Sequence, residues 1–537
     1  MTTAIGPAIS SDALVPTGRS RGRARAIVAT ALLIALTGAG VLYGDPLTTG
    51  SLLAIVGLLY LFRAAVFSWP GAAVGVVLVI CLVPARRYTL PITLPFAAEP
   101  YRIVIVAMLA VVVAALLIDP AFRWQKLELG GPVAVFLATQ LVSIALNLPG
   151  LIHHGLATDA GMALVSLLVI AAAFVLSRQL FRSRRIVNLA LRTLGLCGAL
   201  VGALATVERV TRNNLFLDFF SLLPLHRLSE SESLFVKAGT VRAFGPAQHP
   251  IALAVFLTML IPITVYLAKR ADWPRRPAAR ELFWLGCTLL IVLGMLAAVS
   301  RTAVVSLAVM LLAVLLLRPG ILPRFVVYGA LAVGAAFLVS ARNIMSMVSQ
   351  FTDPQALIAS QEQSPGWTGS GRLADLGPSL AAAINHPLLG TGLGSRVTIG
   401  PSANALILDD QYLTTLLESG AIGVLGIAIM LLVPFGRLAA FGARRARPGE
   451  PADAPERRDL AVAIAVAIIG YAASLFFFDG FSFIQTLLTF FLLLAFGSWA
   501  MVGEKQPSGW DDLHIPSETP KQQAIPDGDA PARETVH

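Results

Sequence analysis

Long apolar stretches alternate with short polar connections along almost the whole chain. Most stretches approach the roughly 20 apolar residues with which a helix crosses the hydrocarbon core. We therefore predict an all-α fold, a polytopic transmembrane helical bundle of about 12–14 spans. A hydropathy window of about 19 residues places the spans at residues 26–43, 49–67, 71–84, 103–118, 132–148, 161–180, 186–207, 249–268, 281–299, 302–317, 325–340, 411–435, 460–478 and 483–502. The stretches at 49–67 and 71–84 are the weakest, and a re-entrant pair is the alternative there.

Two long polar connections interrupt this pattern. The first contains an apolar segment, 215–223, which suits either the membrane interface or packing against the bundle. The second is a large loop between late spans. The predicted segments are a cytoplasmic N-terminal segment (1–25), an N-terminal transmembrane bundle (26–207), an extracytoplasmic loop with an interfacial segment (208–248), central spans (249–340), a large extracytoplasmic loop (341–410), C-terminal spans (411–502) and a disordered cytoplasmic tail (503–537).

Basic residues indicate the side of the membrane that each connection occupies. They cluster before the first span and around residues 178–185, 269–280 and 437–458. These clusters all fall on one side of the predicted spans, and the cytoplasmic side is the one that arginine and lysine favour. We therefore predict that both termini are cytoplasmic and that the two long loops lie outside. The run at 26–43 is long for a signal peptide, so we predict an uncleaved first span.

The composition agrees with a membrane protein. Of 537 residues, 56% are hydrophobic and 13% are charged, a balance that would leave a soluble domain coated with apolar surface. The net charge of +10 comes from arginines clustered between spans, which argues against nucleic-acid binding. The three cysteines lie inside apolar stretches without the spacing of a disulfide framework or a zinc site, so we expect them to pack in the core.

Arginines on the predicted outer side depart from the rule that positive charge stays inside. Arg301 interrupts an apolar run at the border of two predicted spans, where a cation usually pairs or binds a ligand. The planar guanidinium group matches phosphate oxygens. For Arg301 and Arg242 the alternative is snorkelling to the interface, or pairing with Glu208 or Asp218. The outer arginines are Arg209, Arg212, Arg227, Arg242, Arg301, Arg342, Arg372 and Arg396.

Acidic residues near the start of span 411–435 are candidate proton acceptors. Asp409 and Asp410 precede Gln411 and Tyr412, and Glu418 lies on the same helix face as Asp410 two turns later. A carboxylate at the membrane border can accept a proton from a sugar hydroxyl as that hydroxyl attacks. The alternative for either aspartate is a helix N-cap, which alone explains an acidic residue here.

A glycine-rich segment, residues 387–394, precedes this span. No strand-turn-helix unit surrounds Gly390, Gly392 and Gly394, so a nucleotide-binding loop is rejected. We expect these glycines to permit a tight turn or a close approach of another group. His249 and His386 each precede a proline, and we favour local hydrogen bonding over acid-base chemistry for both. No cluster has the spacing of metal ligands, so no metal site is predicted.

These motifs, in this order and on this side, resemble the O-antigen ligase and O-antigen polymerase superfamily of bacterial envelope glycosyltransferases. The resemblance covers roughly residues 208–426, and the first two hundred residues match only in hydropathy. It rests on Arg242-Ala243-Phe244-Gly245 with His249-Pro250, on Ser300-Arg301-Thr302, on Arg372, on the segment 387–394, and on Asp410-Gln411-Tyr412-Leu413 with Glu418-Ser419-Gly420.

The resemblance implies an inverting, metal-independent transfer at the outer face of the bacterial cytoplasmic (inner) membrane, without a cofactor. The donor would be a polyprenyl diphosphate-linked saccharide and the acceptor a hydroxyl group. Arg242 and Arg301 correspond to family arginines that engage the diphosphate, with Arg372 as a third. Family ligases carry a histidine where this chain has Asp409 and Asp410, so we expect one of these to be the base and favour a polymerase over a ligase. Further substrate-loop residues are His249, His386, Gly390, Gly392, Gly394, Gln411, Tyr412 and Glu418.

Other functions stay open at this level. One is a ligase that attaches polymer to a final acceptor, another a transporter or flippase of the lipid-linked saccharide, and a third a scaffold without activity. Transporters tend to show repeated halves and polar groups at the midplane, a pattern that this sequence does not display. The expected partners are a polyprenyl diphosphate-linked glycan, membrane lipid and other polysaccharide assembly proteins, and no nucleic acid.

Overall fold

The computed structural model describes residues 68–90, 99–118, 123–223, 225–228, 235–237, 240–321, 372–398, 403–405, 407–445 and 448–503, with a few positions between 323 and 334. Helices dominate these ranges, so the predicted all-α fold class is confirmed. They are α1 (Trp69–Leu82), α2 (Pro100–Ile118), α3 (Gly130–His153), α4 (Ala157–Leu180), α5 (Arg184–Thr211), α6 (Leu215–Ser221), α7 (Pro250–Arg270), α8 (Pro277–Ala297), α9 (Arg301–Leu317), α10 (Arg372–Asn385), α11 (Gln411–Gly442), α12 (Ala454–Ser474) and α13 (Ile484–Val502). Antiparallel pairing joins β1 (Tyr88–Thr89) to β2 (His226–Arg227), and β3 (Phe235–Lys237) to β4 (Thr240–Arg242).

The helices agree with the predicted spans wherever the two can be compared. The spans at 26–43 and 49–67, most of 325–340, the N-terminal segment and the tail after Gly503 lie outside the described ranges. Each of the remaining predicted spans overlaps one helix. Within the described ranges, seven helices are long and apolar enough to cross a membrane, which confirms a multi-pass membrane protein. They are α3, α4, α5, α7, α8, α11 and α13.

Two helices form the centre of the bundle. In their most apolar windows, α7 is 89% buried and α13 is 94% buried, whereas the corresponding window of α3 is only 22% buried. A helix that is apolar on all sides must be surrounded by other helices or by lipid. Helix α7 packs against α5, α8, α9, α12 and α13, and these neighbours bury it on every side.

Helices α5 and α8 cross in close contact. Gly202 and Gly294 lie at this point: a Cβ atom added to Gly294 would overlap the Gly202 backbone, and one added to Gly202 would overlap the Leu290 backbone. Gly195 and Gly198 lie on the same face of α5 and accommodate Trp284 and Leu260. Small residues at such spacing let two helix backbones approach each other inside a membrane.

Ion pairs collect at one end of the bundle. The Arg184 side chain pairs with Glu456, and the Arg437 side chain pairs with Glu128. Asp459, near the start of α12, contacts cations at the ends of α7 and α9. This is the end that holds the arginine-rich connections, as predicted from their common sidedness.

The predicted interfacial segment forms the short helix α6 at the opposite end. The Asn214 side chain caps it by accepting from the N–H groups of Phe216 and Leu217. Phe216 and Phe220 are buried, whereas Phe219 is 58% exposed. One face of α6 therefore packs against the bundle, and contact of the other face with the membrane interface stays a prediction.

Candidate active site

Helix α11 is interrupted at Gly420, whose φ of 64° and ψ of −164° are not helical. A helix end leaves backbone groups without partners inside the helix. Here the glycine-rich segment 387–394 supplies the partners, and the two segments exchange four backbone hydrogen bonds. The N–H groups of Thr391, Gly392, Ala421 and Ile422 donate to the carbonyl groups of Leu417, Glu418, Pro387 and Leu388, in that order.

Two glycines make this contact sterically feasible. Gly390 has a φ of 63°, and a Cβ atom on it would overlap the Glu418 backbone. A Cβ atom on Gly420 would overlap the Leu388 backbone. The close approach predicted for the glycine-rich segment is therefore confirmed, with the break in α11 as its partner.

Polar side chains of α3 hold the same break from the other side. Gln140, Ser143 and Asn147 follow one another on one face of that helix. The Gln140 side chain accepts from the Ser419 hydroxyl at 2.7 Å. The Ser143 hydroxyl lies within donating distance of the Leu389 and Glu418 carbonyl oxygens, at 3.0 and 3.1 Å. The position of Glu418 is thus set by α3 and by the glycine-rich segment together.

The Glu418 carboxylate points back toward the segment that follows the glycines. It accepts hydrogen bonds from the backbone N–H groups of Gly394 and Arg396. Burial lowers the pKa of the Arg396 guanidinium, and attraction to Glu418 and Asp479 acts in the opposite direction. An arginine and two carboxylates from three different segments are therefore electrostatically coupled.

These groups line a cavity of about 390 Å³. Its volume falls within the roughly 300–1,000 Å³ of small-molecule sites. The wall combines apolar side chains, such as Phe136 and Leu408, with several charged groups. The charged and amide side chains of the lining are Arg86, Arg102, Gln140, Arg396, Gln411, Glu418 and Asp479.

Asp479 comes from the connection between α12 and α13. Burial raises the pKa of its carboxyl group to about 6, and repulsion by Asp409 adds to that effect. A hydrogen bond of 2.5 Å from the Ser482 hydroxyl, together with Arg86 and Arg396, acts in the opposite direction. Asp479 is therefore a carboxylate that can exchange a proton near neutral pH.

Arg86 and Arg102 form the cationic rim of the cavity. Arg86 has a φ of 56°, a left-handed conformation that is uncommon for a residue with a side chain. Glu99 holds this turn, because its carboxylate accepts from the Arg86 backbone N–H at 2.8 Å and lies 3.6 Å from the Arg102 guanidinium. Strained backbone of this kind concentrates at functional sites.

The predicted acidic residues divide between structural and cavity roles. Asp410 is the N-cap of α11, since its side chain accepts from the Leu413 N–H at 3.0 Å. Asp409 lies near enough to Asp479 to raise its pKa. Gln411 lines the cavity and accepts from the Phe481 N–H at 2.7 Å. Tyr412 donates to the Ala472 carbonyl at 2.9 Å and thereby joins α11 to α12.

Arg242 and Arg301 lie at the C-terminal end of α8. The Arg242 Nε donates to the Ala298 carbonyl at 3.1 Å, and Arg301 begins α9 three residues later. Among the described residues both arginines stand outside the cavity lining. Gln248, six residues after Arg242 in sequence, contacts the cavity wall, because its side chain accepts from the N–H of Ile484, a lining residue.

The remaining predictions concern histidines, glycines and Arg372. The His249 ring caps α7 by accepting from the Ile251 N–H at 3.2 Å, which is the local hydrogen bond favoured for it. His386 is exposed at the start of the glycine-rich segment. Gly394 lines the cavity. Arg372 begins α10, and its side chain lies outside the described part of the structure.

Among the charged and amide side chains of the cavity, sequence reasoning missed four: Asp479, Arg86, Arg102 and Gln140. A signal for one of them was present, because Asp479 is the sole charged residue in the stretch 460–502. A lone charge at the border of two predicted spans, here 460–478 and 483–502, is a candidate functional residue. Among the residues that the structure describes, no group of three or more histidine, cysteine or acidic side chains is arranged to hold a metal ion.

Comparison with known families adds an independent observation. Residues 286–428 match the family model described as O-antigen ligase. The matched stretch runs from α8 into α11 and includes Arg301, Arg372 and Glu418, whereas Arg242 and Asp479 lie outside it. A search of curated proteins found no match. The family match supports a membrane glycosyltransferase-type role in surface polysaccharide. It confirms the resemblance of this chain to the O-antigen ligase and O-antigen polymerase superfamily.

Proposed function

We propose that the chain is an extracytoplasmic polymerase of a surface polysaccharide, residing in the bacterial inner membrane with both termini in the cytoplasm. It transfers a glycan from a polyprenyl diphosphate-linked donor to an acceptor hydroxyl group. The observation that carries this proposal is the cavity in which Glu418 and Asp479 meet Arg86, Arg102 and Arg396. Acidic groups suit proton abstraction, and guanidinium groups suit a diphosphate.

The reaction requires one proton acceptor and one stabilised leaving group. The acceptor hydroxyl gives its proton to the Asp479 carboxylate, and its oxygen attacks the anomeric carbon of the donor. The bond between that carbon and the diphosphate oxygen breaks with inversion, and polyprenyl diphosphate leaves with the electron pair. Asp479 is preferred over Asp410 as the base, because Asp410 already caps α11.

Positive charge near the leaving diphosphate lowers the barrier of such a step. Arg86 and Arg396 supply this charge from the cavity wall. Arg242 and Arg301 bind the diphosphate from the neighbouring end of α8, in line with the family arginines to which they correspond. The transfer is therefore proposed to proceed without a metal ion.

A polymerase is favoured over a ligase because of the acidic pair at Asp409 and Asp410. Family ligases carry a histidine at this position, and its replacement places carboxylates beside Asp479 instead. The loss of the family histidine, with the base supplied by Asp479 instead, favours a different acceptor. The acceptor of a polymerase is the sugar of another lipid-linked unit.

The test uses the full chain purified in detergent with a panel of polyprenyl diphosphate saccharides. The expected products are free polyprenyl diphosphate and a lengthened lipid-linked saccharide. Because detergent micelles enclose no compartment, product formation excludes pure transport. Product attached only to a separate final acceptor would identify a ligase, and no transfer with any donor would contradict the proposal.

Two substitutions test which side chains take part in the transfer. Asp479→Asn and Arg301→Ala should each reduce kcat/KM by about 10²-fold or more, since each removes a group that acts in the transition state. Asp272→Asn is the matched control, because Asp272 pairs with Arg192 at the other end of the bundle. Wild-type transfer by both site variants would eliminate the proposed site.

A further inference from the structure

A second cavity lies at the opposite end of the bundle, between α7, α8, α9 and α12. Its volume is about 280 Å³. We call it the basic cleft and define it by Lys269, Arg280, Arg318 and Asp459, all of which line it. It is remote from the proposed transfer site, and nothing in its assignment depends on that proposal.

The Asp459 carboxylate in the basic cleft is surrounded by more positive charges than it can neutralise. Asp459 lies 3.0 Å from the Lys269 ammonium, 2.6 Å from the Arg270 guanidinium and 3.7 Å from the Arg318 guanidinium. One negative charge cannot neutralise three positive ones. Arg280 adds a further cation, and its guanidinium is held at the end of α7 by the Ala268 and Ala271 carbonyl groups. Glu281 supplies the second carboxylate of the lining, so four cations still face two anions.

The walls of the basic cleft are apolar. Val265, Val314, Val462 and Val466 line it below the charged groups. Leucines that face outward continue this apolar surface along the flanking helices. Leu282 of α8 is 75% exposed, and Leu316 of α9 is 76% exposed. A surplus of positive charge above an apolar wall matches a molecule that has an anionic head and hydrocarbon chains.

We propose that the basic cleft binds the headgroup of an anionic phospholipid from the predicted cytoplasmic leaflet. The phosphate contacts Lys269 and Arg318, which share Asp459, and the acyl chains follow the valine-lined wall. Basic pockets between membrane helices on this side are suited to anionic lipid headgroups. The excess charge distinguishes this occupant from a zwitterionic lipid, and the apolar wall distinguishes it from free phosphate.

The experiment measures lipid adducts on the delipidated full chain by native mass spectrometry. Phosphatidylglycerol and phosphatidylcholine with the same acyl chains are compared, and inorganic phosphate is added as a competitor. We expect preferential retention of phosphatidylglycerol that millimolar phosphate does not abolish. Equal retention of the two lipids would overturn the proposal, and displacement by phosphate alone would replace the lipid with a free anion.

The matched variants are Lys269→Gln and Lys126→Gln. The Lys269 side chain is 52% exposed and the Lys126 side chain is 69% exposed, and both form an ion pair, so both substitutions leave the core intact. Only Lys269 lies in the basic cleft. We expect Lys269→Gln to weaken phosphatidylglycerol binding roughly fivefold and Lys126→Gln to leave it unchanged. The same affinity in both variants would contradict a site at the cleft.

Discussion

Asp479 combines a place in the cavity wall with ionisation near neutral pH. Burial raises the pKa of its carboxyl group to about 6. A base must be ionised to accept a proton, so we expect kcat/KM to fall as the pH decreases through about 6. The measurement is the pH profile of transfer by the purified chain. A profile that stays flat from neutral pH down to pH values below this pKa would assign the base to another group.

The Asp479 carboxyl group should make the free energy of unfolding depend on pH in the direction opposite to kcat/KM. Its pKa rises from 3.8 to about 6 on folding, so between these values the folded state binds more protons than the unfolded state. The stabilisation from this difference is present below 3.8 and is lost as the pH rises through about 6. We therefore expect Asp479→Asn to raise the melting temperature at neutral pH while it strongly reduces transfer.

The measurement compares melting curves of the wild type and Asp479→Asn, recorded in detergent across the same pH range. The two curves should converge at acidic pH, where the wild-type carboxyl group is neutral. If Asp479→Asn were less stable than the wild type at neutral pH, the ionised Asp479 carboxylate would stabilise the folded state, which contradicts this prediction.

At the scale of the element, the break in α11 and the glycine-rich segment form one unit. Gly390→Ala should destabilise the protein by about 1–3 kcal/mol from the left-handed backbone alone, and overlap with the Glu418 backbone adds to that loss. Gly436→Ala is the control, because Gly436 lies in α11 itself with open space around it. Thermal melting in detergent compares the two variants.

Gly436→Ala should be neutral or slightly stabilising, since alanine favours the helix. If Gly390→Ala melts at the same temperature as Gly436→Ala, the contact between the glycine-rich segment and α11 does not stabilise the folded state. Loss of transfer without loss of stability would instead mean that the segment only positions Arg396 and Glu418.

The helices were predictable because the signal for a membrane span is local. A run of apolar residues specifies a helix whatever its neighbours are, and each predicted span in the described part of the chain overlaps a helix. The N-cap role of Asp410 was predictable for the same reason, since it depends on the three residues that follow. The glycine-rich segment was predicted to approach something closely, but its partner was not evident.

The cavity was only partly predictable because distant segments assemble it. Arg86 and Asp479 are separated by almost the whole bundle in sequence and meet only through helix packing. Gln140 has no motif around it, and its role depends on the break in α11 that Ser419 adjoins. Pattern reasoning therefore found the residues on one side of the cavity and missed those that other helices contribute.

At the scale of the whole molecule, the proposal requires the cavity to face away from the cytoplasm. All three native cysteines are buried, so an introduced cysteine can be labelled with little background. We expect His386→Cys to react with a membrane-impermeant maleimide in intact cells, because His386 is exposed at the cavity end. We expect Lys126→Cys to react only after permeabilisation, because Lys126 is exposed at the end with the arginine-rich connections.

Both variants should be checked for complete labelling in detergent, where each thiol is accessible. The reverse pattern, with Lys126→Cys labelled in intact cells, would invert the molecule and rule out extracytoplasmic transfer. Labelling of both variants in intact cells would show leaky cells, and the measurement would be repeated with sealed spheroplasts.

The meeting of Gly202 and Gly294 has a consequence beyond packing. Gly294 lies one helical turn before Ala298, whose carbonyl group receives the Arg242 guanidinium, and Arg209 donates to the adjacent Ala297. The crossing of α5 and α8 therefore determines where the Arg209 and Arg242 guanidinium groups are held. A single methyl group added to either glycine would push these helices apart and displace both cations, so the alignment of the two arginines is maintained by steric exclusion one helical turn away.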